Sequence, residues 1–273
     1  MEIIRSKYLG PCHGVLSACS KVKDMIKNNK KKIILENIIA HNEIIMSDVF
    51  ENQDFELLNA EKNNINADDL FIISAHGHDF SFDVNGYDVL DCTCSYLNQR
   101  LDHAIKIAKD SRVLYLGKQT HPETKFTLSK LKNEKIKYLY CINVQDIIDN
   151  YKQGDVIIIQ STYLLTKDEE GRLKKLTSDE KLFLTCPFVY NRFIELESVN
   201  AESIIVIGSR SSSNSTALFA KAKDIFANAY FIENLMQLND IINYLKAPVF
   251  ITSGTSTPLS IISEIEKVLT NKT

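Results

Sequence analysis

The cysteine best placed for chemistry is Cys12, in the loop 9–15, which reads Leu-Gly-Pro-Cys-His-Gly-Val. Gly10 and Gly14 allow positive φ and close backbone approach, while Pro11 biases Gly10 away from the helical region. A helix is predicted to begin at this loop, and the unpaired N–H groups and positive dipole of its N terminus favour thiolate over thiol. Cys12 is therefore a candidate reactive thiolate, although free cysteines also serve as small buried apolar side chains.

The chain contains six cysteines, at positions 12, 19, 92, 94, 141 and 186. No apolar signal region follows the charged residues Glu2 and Arg5, and no segment reaches the ~18 uninterrupted apolar residues of a membrane span. We therefore expect a cytoplasmic protein with no membrane partner. In such a reducing compartment, cysteines are expected to bind metal or take part in catalysis rather than to form a disulfide framework.

Length and charge narrow the class of protein further. The 273 residues, of which 44% are apolar, predict two or three subdomains of a soluble protein. Lysine and arginine number 32 against 35 acidic residues, so no basic surface for nucleic acid is expected. The lysine-rich run 27–32 is interpreted as a solvated helix end and turn.

Short β-branched runs alternate with longer stretches of helical period, a pattern typical of parallel sheets covered by helices. This pattern predicts an α/β fold. Strands are predicted at 2–5, 32–35, 70–74, 89–92, 112–116, 137–140, 156–160, 181–184, 203–207, 229–231 and 248–252.

Hydroxyl-bearing residues follow three of these strands at a nearly constant spacing. Ser161 lies 87 residues after Ser74, and Ser253 lies 92 residues after Ser161. A second series of strands ends in glycine, at Gly10, Gly117 and Gly208. We therefore predict three similar α/β domains, which cover 1–92, 93–186 and 187–273.

The cysteines follow the same repeat. Cys94 lies eighteen residues after His76, and Cys186 lies twenty-four residues after Thr162. The third unit ends before an equivalent cysteine, so Cys12 is free to take that place. Three units around a pseudo-threefold axis would each direct one thiolate to the centre, which suggests a metal or iron–sulfur site.

The number of thiolates indicates the kind of centre. A four-iron four-sulfur cluster with three cysteine ligands keeps one open iron, which can act as a Lewis acid toward a substrate oxygen. Such a cluster would carry out chemistry rather than simple electron relay. Zinc is an alternative, but the chain lacks the close Cys-x-x-Cys pairs typical of structural zinc sites.

An anion site is predicted at the turn 208–215, which reads Gly-Ser-Arg-Ser-Ser-Ser-Asn-Ser and opens a helix from Thr216 onward. Hydroxyls, an amide and free backbone N–H groups at a helix N terminus suit a phosphate. A flexible serine-rich linker has the same composition, but the strong strand before the turn argues against it. Ser256, before Pro258 and another helix, repeats the geometry.

Three histidines, His41, His76 and His121, occupy further strand-end loops. A single histidine is more often structural, but imidazoles near a diphosphate would supply hydrogen bonds and positive charge. Glu123 stands in the segment His-Pro-Glu, and burial could raise its pKa enough to make it a proton donor. The alternative is an ordinary first-turn glutamate behind a proline.

These residues, taken in order, resemble the motifs of the 4-hydroxy-3-methylbut-2-enyl diphosphate reductase family over nearly the whole chain. The shared motifs are Gly10-Pro11-Cys12-His13-Gly14-Val15, His41-Asn42, Ser74-Ala75-His76-Gly77, Asp91-Cys92-Thr93-Cys94, His121-Pro122-Glu123, Gln160-Ser161-Thr162, Cys186 with Asn191-Arg192, Gly208-Ser209 with Ser212-Ser213-Asn214-Ser215, and Gly254-Thr255-Ser256-Thr257-Pro258.

The resemblance implies a cloverleaf of three α/β domains around a 4Fe-4S cluster with one open iron, held by Cys12, Cys94 and Cys186. It implies a small-molecule diphosphate substrate, bound by His41, His76, His121, Ser212, Asn214 and Ser256, with Ser213 adjacent. Ser161 and Thr162 would lie near the substrate hydroxyl, and Glu123 would deliver the proton. The implied reaction is a reductive dehydroxylation in isoprenoid biosynthesis by the non-mevalonate pathway. The implied electron donor is a ferredoxin or flavodoxin.

The chain departs from the family pattern at several positions. Ser95 follows the second cysteine where a proline is usual, Val189 stands where the family has a threonine, and Ser17 replaces an arginine. Two further hypotheses therefore stay open. One is a divergent reductase acting on another hydroxylated anion, and the other is a non-catalytic iron–sulfur sensor or electron-transfer protein in which Cys92 is a fourth ligand. The simpler interpretation of Cys92 is strand packing.

Overall fold

The computed structural model describes residues 1–27, 31–51, 53–58 and 66–271. These residues form an α/β fold in which strands and helices alternate along most of the chain. The strands of this part of the chain are β1 (Ile3–Arg5), β2 (Ile33–Leu35), β3 (Phe55–Leu57), β4 (Leu70–Ile73), β5 (Asp88–Asp91), β6 (Arg112–Leu116), β7 (Lys137–Cys141), β8 (Val156–Ile159), β9 (Leu182–Phe183), β10 (Ser203–Ile207), β11 (Ala229–Ile232) and β12 (Val249–Ser253).

The helices cover these strands and begin mostly at polar capping residues. Their bounds are α1 (His13–Ile26), α2 (Glu43–Phe50), α3 (Ser95–Ile107), α4 (Pro122–Asn133), α5 (Val144–Asn150), α6 (Lys167–Leu176), α7 (Pro187–Ser198), α8 (Ser213–Ile225), α9 (Leu235–Ile241) and α10 (Leu259–Thr270). Within the described ranges, no helix combines the length and apolar character that a membrane crossing requires.

The strands form three four-stranded parallel sheets, in the orders β1-β12-β10-β11, β5-β4-β2-β3 and β9-β8-β6-β7. Strands β4, β8, β10 and β12 are buried at every residue. Continuous apolar runs of this kind suit parallel strands that helices cover on both faces. The α/β class and the parallel pairing predicted from the sequence are therefore confirmed.

The same strand order recurs in all three sheets. An edge strand that leads to a cysteine (β1, β5 or β9) pairs with a strand that leads to a polar turn (β12, β4 or β8). Strand β1 joins the sheet of β12, so Cys12 does occupy the place of the missing third cysteine. The predicted glycine series is wrong. Strand β1 occupies the same edge place in its sheet as β5 and β9 do in theirs. The strand in the place of β6 and β10 is β2, which is followed by Glu36 rather than by glycine.

The chain divides into two compact units. One comprises Met1–Cys19, Ala40–Asn52 and Pro187–Thr273, and the other comprises Ser20–Ile39 and Gln53–Cys186. The first unit contains the β1-β12-β10-β11 sheet, and the second contains the other two sheets. Strand β1 thus belongs with the C-terminal sheet rather than with the strands of 31–92, and the three-domain boundaries stay a prediction.

One strand was not predicted. Strand β3 is a short edge strand whose three residues are all exposed, and its sequence Phe-Glu-Leu contains no β-branched residue. An exposed edge strand lacks the apolar pattern on which sequence prediction depends. In the lysine-rich run, α1 ends at Ile26, and residues 28–30 lie outside the described residues.

The turn after β4 requires glycine at position 77. Gly77 has φ +89°, and a Cβ atom there would overlap the ring of Phe126. We expect Gly77→Ala to lower the free energy of unfolding by about 2–5 kcal/mol, because left-handed backbone strain of about 1–2 kcal/mol adds to an overpacking cost of about 1–3 kcal/mol. Urea denaturation measures the loss.

The matched control is Gly154→Ala. Gly154 has φ +100°, but no heavy atom lies within 4 Å of the added Cβ, so this variant carries the backbone strain alone. Equal losses in the two variants would show that the contact with Phe126 contributes nothing.

Candidate active site

The three predicted cysteine ligands occupy the same position in the three sheets. Each cysteine directly precedes a helix, namely α1, α3 or α7. The backbone N–H of each cysteine donates to a carbonyl two residues beyond the end of the neighbouring strand: Cys12 to Thr255 at 3.0 Å, Cys94 to Ala75 at 3.0 Å and Cys186 to Ser161 at 2.9 Å. Every cysteine is thereby fixed beside a polar turn.

All three thiols are reduced and partly exposed. Each lies directly before the first residue of a helix. Cys94 and Cys186 act on the same side chain, since burial raises the pKa of the Tyr96 phenol, Arg100 lowers it, and both cysteines raise it again. Cys92, by contrast, is buried, as strand packing predicts.

Among the described residues, no group of three or more His, Cys, Asp or Glu side chains is close enough to hold a single metal ion. Ligands of one ion must meet around one centre, whereas thiolates that bind separate irons of a cluster stand farther apart. Cys12, Cys94 and Cys186 each stand before a different helix. Because iron–sulfur clusters are bound by cysteine thiolates, this donor set suits a cluster better than a single metal ion.

The loop before Cys12 is shaped by Gly10. This residue has φ +83°, and an added Cβ would overlap the side chain of Leu259. Its N–H donates to Ser253 Oγ at 2.8 Å. Gly14, by contrast, lies inside α1, so no positive φ is used there.

Glu123 is held in the first turn of α4 and is only 2% exposed. The N–H of Ser161 donates to Glu123 Oε1 at 2.7 Å, and the hydroxyl of Ser161 donates to Oε2. Burial raises the pKa of the Glu123 carboxyl, although Arg100 and the Ser161 hydrogen bonds act in the opposite direction. The predicted direction of the shift is therefore confirmed.

The structure brings two of the predicted histidines together. The rings of His76 and His121 pack edge to face with centroids 5.4 Å apart. His121 caps α4 by accepting the N–H of Glu123 at Nδ1, 3.2 Å away. His41 lies just before Asn42, the N-cap of α2, and burial lowers the pKa of the His41 imidazole.

Gln160 positions Thr162 and was missed as a functional residue by sequence reasoning. Its Nε2 donates to Thr162 Oγ1 at 2.6 Å, and its Oε1 accepts the N–H of Lys118 at 2.7 Å. The side chain thereby links the turns that follow β6 and β8. Its place directly before the Ser-Thr pair was the available signal.

The serine-rich turn begins its helix earlier than predicted. Helix α8 starts at Ser213 rather than Thr216, because Ser212 caps it by accepting the N–H of Ser215 at 3.3 Å. Ser256 is buried, three residues beyond the end of β12.

Asn214 offers a buried hydrogen-bond donor. Its Oδ1 accepts the N–H of Thr255 at 3.0 Å, which fixes the orientation of the amide. Among the described residues, its buried Nδ2 has no hydrogen-bond partner. An unpaired buried donor is costly, so this N–H₂ group suits an anionic oxygen.

The loop that carries His76 is braced by a second histidine. His78 lies between two acceptors, with Nδ1 3.1 Å from Glu36 Oε1 and Nε2 2.9 Å from the carbonyl of Phe82. Glu36 also accepts the N–H of Asp79 at 2.6 Å. Two acceptors on one ring favour the doubly protonated imidazolium.

Comparison with known proteins shows which family the chain belongs to. The family model described as "LytB protein" matches residues 3–270. The chain is 28% identical to 4-hydroxy-3-methylbut-2-enyl diphosphate reductase of Thermotoga petrophila, over 98% of this chain and 96% of that protein. It is 29% identical to the protein of that name from Fusobacterium nucleatum subsp. nucleatum, but it spans only 34% of that longer relative's length.

A solved structure shares the fold. The structure of the E-1-hydroxy-2-methyl-but-2-enyl-4-diphosphate reductase from Plasmodium falciparum superposes with a TM-score of 0.81 and 21% identity, covering 99% of this chain and 88% of that one.

The fold and site together define an α/β protein of three parallel sheets, in which each sheet presents a reduced cysteine beside a polar turn. The chain belongs to the LytB protein family.

The His78–Glu36 contact makes stability depend on pH. Burial lowers the pKa of His78, but the hydrogen bond and charge of Glu36 outweigh it and raise the pKa above 6.5. The imidazolium therefore stabilises the fold fully below about pH 6.5, and this contribution is lost as pH rises through the raised folded-state pKa. We expect the difference between the urea midpoints of wild type and His78→Gln to shrink as pH rises above about 6.5.

The exposed histidine His103 on α3 provides the comparison, since it has no carboxylate partner among the described ion pairs. His103→Gln, measured over the same pH range, is the control for the loss of a histidine as such. A His78→Gln difference that does not change with pH would exclude a stabilising imidazolium.

Proposed function

We propose that this chain is an oxidoreductase that removes the allylic hydroxyl of 4-hydroxy-3-methylbut-2-enyl diphosphate and yields isopentenyl and dimethylallyl diphosphates. The observation that carries the proposal is the family match over residues 3–270, which contains every predicted site residue. The balanced reaction consumes two electrons and two protons and releases the hydroxyl as water.

The proposed cofactor is a 4Fe-4S cluster ligated by Cys12, Cys94 and Cys186. The donor set fits this group, because the three thiols are reduced, partly exposed and placed alike at helix N termini. When bound, the cluster supplies electrons and an open iron with Lewis acidity. We propose a ferredoxin or flavodoxin as the electron donor.

The diphosphate is proposed to bind at the polar turns. Its proposed partners are His41, His76, His121, Ser212, Ser213, Asn214 and Ser256. The unpaired amide N–H₂ of Asn214 and the packed rings of His76 and His121 support this assignment, since both offer donors to phosphate oxygens. Helices α2, α4 and α8 begin at these turns, and their N termini favour an anion. Anchoring the tail would orient the allylic hydroxyl for reaction.

Glu123 is the proposed proton donor. Its raised pKa keeps the carboxyl protonated at higher pH than an exposed glutamate, and Ser161 fixes both of its oxygens. Proton delivery to the leaving hydroxyl lets it depart as water. Thr162, held by Gln160, is proposed to contact the substrate hydroxyl together with Ser161.

Glu123→Gln tests this role. The amide keeps the size of the side chain but cannot donate a carboxyl proton, so kcat should fall by about 10²–10⁴-fold. Iron content and diphosphate binding should stay at the wild-type level. Near-normal kcat would remove Glu123 from the reaction. Glu134→Gln, an exposed change at the C-terminal end of the same helix, is the control.

Serine substitutions at 12, 94 and 186 test the cluster. Each should lower the iron bound per chain after anaerobic reconstitution and abolish turnover, because serine is a poor substitute for a soft thiolate. Cys19→Ser, within α1, should bind as much iron as wild type. A fully loaded wild-type protein that fails to consume the hydroxylated diphosphate with a strong reductant would overturn the proposed function.

A second candidate is reduction of a different hydroxylated anion. Val189 is buried in the first turn of α7, three residues after Cys186, where the family resemblance implies a threonine. The valine cannot supply that hydroxyl, and a lost hydrogen bond is worth about 1 kcal/mol. Turnover of another allylic alcohol diphosphate, with none of the expected substrate, would select this candidate. Restored turnover of the expected substrate in Val189→Thr would identify the cause.

A further inference from the structure

A buried arginine follows the second cysteine. Arg100 lies on α3, six residues after Cys94, and is 8% exposed. Its guanidinium donates to the carbonyl oxygens of Ile159 and Phe183, which are the last residues of β8 and β9. One side chain thereby holds the ends of two neighbouring strands.

Both strand ends lead directly to site residues. Ser161 lies two residues beyond Ile159, and Cys186 lies three residues beyond Phe183. The N–H of Cys186 in turn donates to the carbonyl of Ser161. Arg100 therefore bonds the two strand ends that lead to Ser161, the partner of Glu123, and to Cys186, a proposed cluster ligand.

The arrangement recurs after the third cysteine. Arg192 lies on α7, six residues after Cys186, and is 3% exposed. Its Nε and Nη2 donate to the carbonyls of Tyr8 and Gly10, each at 2.7 Å, in the loop that leads to Cys12. A helix that follows one cysteine thus bonds the backbone that leads to another.

The helix that follows the first cysteine also carries a cationic side chain that bonds a backbone carbonyl, but this contact is weaker. Lys21 on α1 donates to the carbonyl of Asp91 at 2.9 Å, three residues before Cys94. This contact is exposed, so it carries less weight than the two buried guanidinium groups. Each helix that follows a predicted cysteine ligand thus carries a cation that bonds the backbone leading to another of these cysteines. We interpret these bonds as part of the structural repeat of the three sheets.

The charge of Arg100 also needs a counterpart. Burying a cation is costly unless it is paired, and within the described ranges the hydrogen bonds of the Arg100 guanidinium go to the carbonyls of Ile159 and Phe183. The groups that face Glu123 are Arg100, His121, Tyr115 and Ser161, and the guanidinium lowers the pKa of the carboxyl. The positive charge therefore acts inside the proposed site.

We propose that Arg100 is a positioning residue of this site, which holds the Ser161 turn and the strand end before Cys186 in place by bonding both carbonyls at once. The inference deepens the proposed function and rests on it for its catalytic meaning. The geometric part, that the guanidinium locks these two segments, stands by itself.

Hydrogen exchange of the metal-free protein tests the geometric part without any assay of function. In Arg100→Met, the amides of 159–163 and 183–186 should exchange about tenfold faster, because the variant loses hydrogen bonds from a charged group. Arg100→Lys should show a smaller increase, because both bonds come from a single nitrogen, Nη2, and an ammonium can still donate hydrogen bonds. The matched control is Arg172→Met, which removes a guanidinium that, among the described residues, bonds the side chain of Gln145 rather than a strand end. Wild-type exchange in both segments, or an equal rise throughout the chain, would overturn the proposal.

The pH profile of the reconstituted enzyme tests the charge. Turnover that needs protonated Glu123 falls at high pH, and loss of the positive charge in Arg100→Met should move that fall to higher pH. Arg100→Lys keeps the charge and should retain the wild-type profile while lowering kcat. Identical profiles and kcat values in all three proteins would overturn the role of Arg100 in the reaction. If loaded wild type shows no turnover, the proposed function fails, while the exchange result still decides whether Arg100 positions these segments.

Discussion

The candidate active site depends on the parallel pairing of two kinds of strand. In each sheet, the strand that leads to a cysteine lies beside a strand that leads to a polar turn, and parallel strands end at the same edge. The cysteine N–H then bonds a carbonyl of that turn. This backbone hydrogen bond fixes each cysteine beside the polar side chains of the turn.

Burial gives these groups their chemistry. The pKa of Glu123 is raised because its surroundings penalise the carboxylate, and the hydrogen bonds from Ser161 orient the carboxyl without reversing that effect. Asn214 accepts the N–H of Thr255 at Oδ1, and in the described part of the chain its Nδ2 has no hydrogen-bond partner. Buried polar groups are normally satisfied, so an exception of this kind points to a ligand. Buried arginines supply positive charge that the overall net charge of −3 does not.

Much of this could be predicted because the signals are local. The β-branched runs gave the buried strands within a residue or two, and the constant spacing of Ser74, Ser161 and Ser253 gave the repeat. The failures have the same origin. Strand β3 carries no buried pattern, and the glycine after β1 resembles those after β6 and β10 although its strand occupies a different place in the sheet. Arg100 and Arg192 were within reach of sequence reasoning, since both lie six residues after a cysteine.

The sequence by itself determined which side chains stand at strand ends, because strand and helix periodicity and capping residues are properties of neighbours along the chain. It also determined the family, through ordered motifs from Cys12 to Ser256. Only the tertiary structure decided that β1 completes the sheet of β12, that Ser161 bonds both oxygens of Glu123, and that Arg100 joins two strand ends. These contacts join residues 38 to about 250 positions apart, and their energies come from burial and direction, which no local pattern records.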